Sequence, residues 1–284
     1  MNRNEIIQIF NNLSIKIKKN LGQNFLIDKN VLDNLISVSN LSENDIVLEI
    51  GAGLGALTSR LREKAKKIYC YEIDEKLYQY LKKKFISSPN IELLNQDILS
   101  AELPYHNKVV SNIPYSITGP ILEKIFYRKS PPVGVLIIEK SIADRLFTKD
   151  NYKTFSRISV TFNAFMNPTL KKSVSPNCFY PSPKIELSMI RAEPKDPINP
   201  FLRLEEGRNF FLKFVAGIMP YKNKNLSNSI FTYLKNSRLG KISKKDLKIY
   251  LKSKNFDDAK LFNYDYEDFV ILSENIYKLI KSTK

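Results

Sequence analysis

Short apolar runs rich in β-branched residues recur between Ile46 and Arg191, separated by stretches in which apolar residues return every four positions. That alternation predicts an open sheet of mostly parallel strands covered by helices. Strands are expected over 46–51, 67–74, 90–97, 109–113 and 133–139. Val135-Leu136-Ile137-Ile138 is apolar at every position, as a central strand buried on both faces requires. Leu57, Leu61 and Ala65, then Leu77 and Leu81, then Ile121 and Ile125 give single apolar stripes on the intervening helices. Ile185, Leu187 and Met189 alternate with polar neighbours over 184–190, a strand expected to form a terminal antiparallel hairpin with the segment around 170–174.

Pro194, Pro197 and Pro200 then interrupt any regular element within a polar stretch. Beyond them the period is helical again: Phe210, Phe211, Phe214, Val215 and Ile218 share one face, Leu226, Ile230 and Leu234 another, and Leu247, Tyr250 and Leu251 a third, with a last helix over 265–281. The expected organisation is an α/β domain over 1–193, a linker over 194–200 and a small, mainly helical domain over 201–284. No internal repeat is visible.

Composition narrows the partner. Forty-five Lys and Arg against 29 Asp and Glu give a formal charge of +16 and a pI of about 9.6, which points to a polyanion. Between Lys213 and Lys254 eleven basic residues face the single acid Asp246, and Asp257, Asp258, Asp265, Glu267 and Asp268 follow. That run reads either as a solvated face or as an RNA-contacting one. Two cysteines, Cys70 and Cys178, and the single His106 supply neither a disulfide framework nor a zinc set, so no metal is expected. The first 20 residues end in Lys16, Lys18 and Lys19 without the apolar core of a signal peptide, and no run approaches the roughly 18 apolar residues of a membrane span. A soluble, cytoplasmic protein without a membrane partner is expected.

The chemistry concentrates at strand ends. Asn112-Ile113-Pro114-Tyr115 follows the apolar pair Val109-Val110. An exocyclic amine on adenine is a poor nucleophile because its lone pair is delocalised into the ring. The Asn112 side-chain oxygen and the Ile113 carbonyl could hold both amino hydrogens and turn that lone pair outward. Pro114 would stiffen the turn, and Tyr115 would offer a π-face to an unstacked base. Taken alone, the tetrapeptide is equally an ordinary turn. Glu49-Ile50-Gly51-Ala52-Gly53-Leu54-Gly55 follows another strand and opens a helix, so that Gly51 and Gly53 let the backbone approach a ligand, although the spacing departs from the dinucleotide fingerprint. Glu72, about 20 residues on, stands where an acid holds ribose hydroxyls in both nicotinamide and adenosylmethionine binders. Asp97 could accept from an adenine amine while Ile98 packs on the ring; its bland alternative is a turn residue. Glycine loop, Glu72, Asp97 and Asn112 close four successive strands, which parallel order brings to one sheet edge. That coincidence favours the catalytic reading of Asn112.

This order is also that of the class I S-adenosylmethionine-dependent methyltransferases. In detail the chain resembles the ribosomal RNA adenine dimethyltransferases of the KsgA type, whose archaeal and eukaryotic relatives share the activity. The resemblance rests on Leu21-Gly22-Gln23-Asn24-Phe25-Leu26-Ile27-Asp28, the glycine loop, Tyr71-Glu72-Ile73-Asp74, Gln96-Asp97-Ile98, Asn112-Ile113-Pro114-Tyr115 and Phe179-Tyr180-Pro181-Ser182-Pro183-Lys184, in order over 18–191.

It implies a Rossmann-like sheet with a C-terminal antiparallel hairpin, and S-adenosylmethionine held by Gln23, Asn24, Leu26, Gly51, Gly53, Glu72, Ile73, Asp97, Ile98 and Asn112. Residues 1–28 would close over that cofactor. Catalysis would use Asn112, Pro114, Tyr115 and Phe179, the last as a second aromatic wall against the flipped base. The implied reaction is N6 dimethylation of two adjacent adenines near the 3' end of small-subunit rRNA, by a monomer acting on a pre-30S-like particle during ribosome biogenesis. Asn225-Leu226-Ser227-Asn228-Ser229 resembles the family's C-terminal signature, but Lys222 and Lys224 alternate with Asn. Ser111 replaces the usual Gly before the catalytic Asn and is expected to add a side chain beside the cofactor; Cys178 replaces another small residue. Two alternatives remain: an Erm-type enzyme acting on an adenine of large-subunit rRNA, and a non-catalytic assembly or nucleic-acid-binding factor on the same fold.

Overall fold

The computed structural model describes residues 3–18, 21–147, 155–237, 239 and 242–282. Lys19 of the N-terminal basic run and Arg238 and Lys241 of the C-terminal one lie outside the described residues.

The described residues form nine strands: β1 (Phe25–Leu26), β2 (Ile46–Ile50), β3 (Lys67–Tyr71), β4 (Ile91–Leu94), β5 (Lys108–Asn112), β6 (Val133–Glu139), β7 (Met166–Val174), β8 (Phe179–Tyr180) and β9 (Leu187–Pro194). Seven form one sheet in the order β4-β3-β2-β5-β6-β9-β7. Pairings from β4 through β6 are parallel, and β9 runs antiparallel to β6 from Gly134↔Ala192 to Glu139↔Leu187. The central strands are buried on both faces, as the uninterrupted apolar run of β6 anticipates.

The three site-bearing strands β2, β3 and β4 stop one to three residues short of their expected ends. Their last residues leave the sheet because each is needed in a turn: Gly51 takes a φ of +68°, and Asp74 caps the helix Glu75–Lys84 by accepting from the Lys76 and Leu77 amides. β9 begins at Leu187 rather than Lys184, since Pro181 and Pro183 cannot extend a ladder, yet Ile185, Leu187 and Met189 all pack into the core. β8 leaves the main sheet altogether and pairs antiparallel with β1, Phe25↔Tyr180 and Leu26↔Phe179.

β2 and β5 adjoin where the strand order reverses, since the chain leaves β2 toward β3 and leaves β5 toward β6. Their ladder pairs only Val47 with Lys108 and Leu48 with Val109 before the strands part. Beyond that point Ser111 substitutes for the ladder: its hydroxyl donates to the Ile50 carbonyl at 2.7 Å and accepts from the Ile50 amide at 3.2 Å. The Ser111 side chain is fully buried between the strands.

The chain divides into two compact units: 1–125, 131–143 and 167–194 in the first; 126–130, 144–166 and 195–284 in the second. The α/β domain is expected over 1–193. The second unit instead takes up 126–130 and 144–166, because their rings belong to its core. Phe126 meets Phe162 edge-on at 5.8 Å, Tyr127 stacks on Phe165 at 5.4 Å, and Phe165 meets Phe211 at 6.2 Å. The helices Glu205–Ile218, Leu226–Ser237, Lys244–Ser253 and Tyr266–Ser282 complete that unit. A Cβ on Gly217 would lie 2.2 Å from the Tyr233 ring, so glycine sets the approach of two helices there.

Replacing Ser111 with Ala leaves the Ile50 amide and carbonyl buried without that partner. Urea unfolding is expected to show a loss of about 1–3 kcal/mol.

Candidate active site

At the carboxyl edge of the sheet the glycine loop turns under the Asn-Ile-Pro-Tyr segment. The Gly51 and Ala52 amides both donate to the Tyr71 carbonyl, at 2.8 and 3.3 Å, which fixes the loop to the end of β3. A Cβ on Gly51 would stand 3.3 Å from Pro114 Cγ at a φ that L-residues seldom adopt, so the two loops touch only because this residue is glycine.

Glu72 is buried, and both of its oxygens are engaged: Oε2 accepts from the Gly53 amide at 2.8 Å and Oε1 from the Asp74 amide at 2.9 Å. Burial raises its pKa, and these two backbone donors oppose the shift. Asn95 Nδ2 donates to the Glu72 carbonyl at 2.8 Å, so the end of β4 is pinned to the end of β3. Asp97 is exposed and accepts from the Leu99 amide at 2.9 Å, whereas Ile98 is buried. Asp97 therefore makes the turn contact of its bland reading while its carboxylate still borders the cleft.

Asn112 closes β5 and its amide group is held from one side only. Nδ2 donates to the Asn24 backbone carbonyl at 3.1 Å. That bond fixes the orientation of the amide, since the flipped rotamer would set two oxygens against each other. Oδ1 is then buried without a hydrogen-bond partner among the described residues. Pro114, with φ −57° and ψ 124°, leads into a 3-10 turn over Tyr115–Ile117. The Tyr115 ring packs on the core cluster that contains Phe179, and its hydroxyl is buried and also without a partner. Burial drives the Tyr115 pKa strongly upward, which keeps the phenol neutral.

The expected site residues converge on one cleft with two lobes. Gln23, Asn24, Leu26, Gly53, Glu72 and Asn112 border one lobe, which encloses about 810 Å³ of empty space open to solvent. Asp97 and Ile98 border the other, of about 640 Å³, and Gly51, Ile73 and Pro114 border both. Tyr115 and Phe179 lie behind this lining. Phe179 is only 3% exposed, because its pairing with Leu26 covers it, so the structure does not present it as an open wall facing Tyr115. Gln23 borders the cleft, but its amide is spent elsewhere, on the Lys18 backbone and on Asp74.

Glu49, the first residue of the glycine motif, borders the same cleft as a wholly buried acid. Thr58 Oγ1 donates to it at 2.7 Å and the Cys70 thiol at 3.4 Å. Burial pushes its pKa up to about 7, against the lowering effect of those two donors. A carboxylate inside the apolar run Ile46-Val47-Leu48-Glu49-Ile50 was the available signal, since burial of such a group is costly without a purpose. The role of Asn24 was also missed in kind: it acts on Asn112 through a main-chain atom, which no residue identity advertises.

With this geometry in hand, the chain matches the model of the ribosomal RNA adenine dimethylase family over residues 14–263. It is 33% identical over 285 aligned positions, 96% of each chain, to the ribosomal RNA small subunit methyltransferase A of Alkaliphilus oremlandii. Among solved structures it superposes on a dimethyladenosine transferase from Plasmodium falciparum with a TM-score of 0.77 at 23% identity, covering 89% of this chain and 98% of the other. It also superposes on the 23S rRNA methyltransferase ErmE with a TM-score of 0.63 at 23% identity, covering 89% and 100%. The two superpositions establish the fold, a class I methyltransferase sheet, and the family match identifies the chain: it belongs to the ribosomal RNA adenine dimethylases, a family of S-adenosylmethionine-dependent methyltransferases.

Glu49 gives the site a pH signature. Its folded pKa of about 7 stands above the ordinary 4.5, so the unfolded chain ionises first and stability falls as pH rises from about 4.5 through about 7. Glu49→Gln removes that loss. Thermal unfolding without cofactor should show the variant gaining roughly 4 °C more over the native chain at pH 8 than at pH 5; an equal difference at both pH values would contradict the assignment.

Proposed function

We propose that this member of the ribosomal RNA adenine dimethylases transfers methyl groups from S-adenosylmethionine to N6 of two adjacent adenines near the 3' end of small-subunit rRNA. The observation that carries the reading is Asn112 Oδ1, a buried acceptor with its orientation fixed and no donor of its own. Leaving such an atom unpaired costs about 1–3 kcal/mol, a cost that a ligand donor removes. An exocyclic amine is a donor of the right kind.

The cleft suits the cofactor in charge as well as in shape. Although the chain carries +16, Glu49 and Glu72 border this lobe, and the cofactor bears a sulfonium and an ammonium. Glu72 would take the ribose hydroxyls, Ile73, Asp97 and Ile98 the adenine, and Gly51 and Gly53 the close approach of the backbone. Gln23, Asn24 and Leu26 would cover it from the N-terminal segment. Bound S-adenosylmethionine supplies an electrophilic methyl group.

The residues of the chain prepare the nucleophile. Asn112 Oδ1 accepts one amino hydrogen and the Ile113 carbonyl the other, which turns the nitrogen lone pair out of conjugation. Pro114 holds the turn in register with Gly51, Tyr115 and Phe179 back the pocket from the core cluster they share, and the base would stack on Tyr115 only where binding uncovers its ring. Orientation and exclusion of water, rather than a general base, supply the acceleration.

The substrate reading draws on the small-subunit enzyme that this chain matches along 96% of its length, and on the excess of basic residues, which suits rRNA in a pre-30S-like particle. We take the protein to act there as a monomer in the cytoplasm. No helix among the described residues is long and apolar enough to cross a membrane, and none of those residues forms a metal-binding cluster.

Asn112→Ala is expected to lower methyl transfer to pre-30S-like particles by on the order of 10²–10³-fold, the cost of removing one preorganised polar contact at a reacting group. Assaying both ribosomal subunits with labelled cofactor should place label in the small subunit alone. Normal turnover of the variant would overturn the mechanism, and label confined to the large subunit would overturn the substrate.

A further inference from the structure

Asp74 sits two residues beyond Glu72, and its side chain is only 1% exposed. Every part of that carboxylate is used. Oδ1 accepts from the Lys76 and Leu77 amides at 3.0 and 3.4 Å, which caps the helix Glu75–Lys84. Oδ2 accepts from Lys18 Nζ at 2.9 Å and from Gln23 Nε2 at 3.2 Å, two groups of the N-terminal segment more than 50 positions away in sequence. The grips support each other, because Gln23 Oε1 accepts from the Lys18 amide at 2.7 Å. Nearby, Lys76 Nζ donates to the Ser14 carbonyl at 2.7 Å, so the start of this helix holds the segment at a second point. Burial works against the Asp74 carboxylate, but Lys18 and Gln23 outweigh it and hold its pKa below the ordinary value.

The segment so held is part of the cleft. Gln23, Asn24, Phe25 and Leu26 border it, and the Asn24 carbonyl holds the Asn112 amide. On its other side Asp74 donates its own amide to Glu72 Oε1. A continuous chain of polar contacts therefore runs from Lys18 through Asp74 to Glu72 and on to the Gly53 amide.

We infer that Asp74 is a positioning residue: a buried latch that holds the N-terminal segment over the cofactor cleft through Lys18 and Gln23, and ties that closure to Glu72. The inference rests on reading the cleft as the cofactor site. The competing explanation is that apolar packing of Ile6, Phe10 and Ile15 on Phe25, Leu54 and Leu77 holds the segment by itself. Non-directional packing does fasten the segment, but it does not fix which carbonyl faces Asn112. The charge-assisted contacts do, because they are directional and one partner is buried.

The decisive variant is Lys18→Met, since Lys18 is half exposed and its loss leaves the helix cap intact. Two measurements on the full chain test the latch. Hydrogen exchange of the 21–27 peptide reports docking, and calorimetric titration with S-adenosylhomocysteine reports affinity. In the variant, exchange should quicken and Kd should rise, each by about tenfold. Methyl transfer should lose kcat/KM for the cofactor by a similar factor, while kcat at saturating cofactor stays within about threefold. Asp74→Asn, which sets an amide nitrogen against two donors, should exceed Lys18→Met in both measurements. Unchanged exchange and Kd in Lys18→Met would leave the apolar packing, the β1–β8 pairing and the Lys76–Ser14 contact as the fasteners and overturn the latch. A fall in kcat with Kd intact would overturn it too, by placing the effect on chemistry. A native chain that fails to bind S-adenosylhomocysteine would instead refute the cofactor reading itself.

Discussion

β2 and β5 run side by side only to Leu48 and Val109, and the rest of the site depends on their parting. Neighbouring parallel strands whose connections leave in opposite directions cannot both be covered at their carboxyl ends, so a crevice opens there. The cost falls on the backbone, because a buried amide or carbonyl without its ladder partner is destabilising. Ser111 meets that cost at Ile50 from both sides with a single hydroxyl. One residue later each strand yields a functional group: Gly51 from β2, free to turn at positive φ, and Asn112 from β5, facing the cleft.

The polar groups of the crevice divide by whether they are already satisfied. Glu72 and Asp74 accept from backbone amides and from the N-terminal segment, and Glu49 from Thr58 and Cys70. These contacts make them fixed features of the wall. Asn112 Oδ1 and the Tyr115 hydroxyl lack partners among the described residues, although they lie in a region where nearly every other buried polar atom has one. That contrast separates satisfied wall groups from unsatisfied ones more sharply than residue type does.

The N-terminal segment is held by two kinds of force with different consequences. Ile6, Phe10 and Ile15 bury apolar surface against Phe25, Leu54 and Leu77, which supplies adhesion without strict register. The β1–β8 pairing and the Asp74 contacts supply register. The pairing also explains the position of Phe179, since Leu26 opposes it in the two-stranded ladder and covers it. Closing the cofactor cleft and burying that ring are thus one packing event.

The sheet, its helices and the edge that carries the chemistry were legible in the sequence. Periods of two and four, a glycine loop after a strand, and Glu72, Asp97 and Asn112 at successive strand ends are local patterns, and parallel order converts them into one site. The strand ends were overestimated because each was carried on to Gly51, Asp74 or Asp97, which instead make the turns that follow β2, β3 and β4. The division of the chain differs at 144–166 because Phe162 and Phe165 show an apolar helical face in the sequence but not which of two cores it meets. Ser111, the Asn24 carbonyl and the Asp74 latch were invisible because each acts on a partner 51 to 88 positions distant. By itself the sequence determined the elements and the residue types at their ends. Only the tertiary structure decided which polar atoms find partners and which are left for a ligand, because hydrogen bonds are set by distance and angle in space, and backbone atoms that make them are the same in every residue.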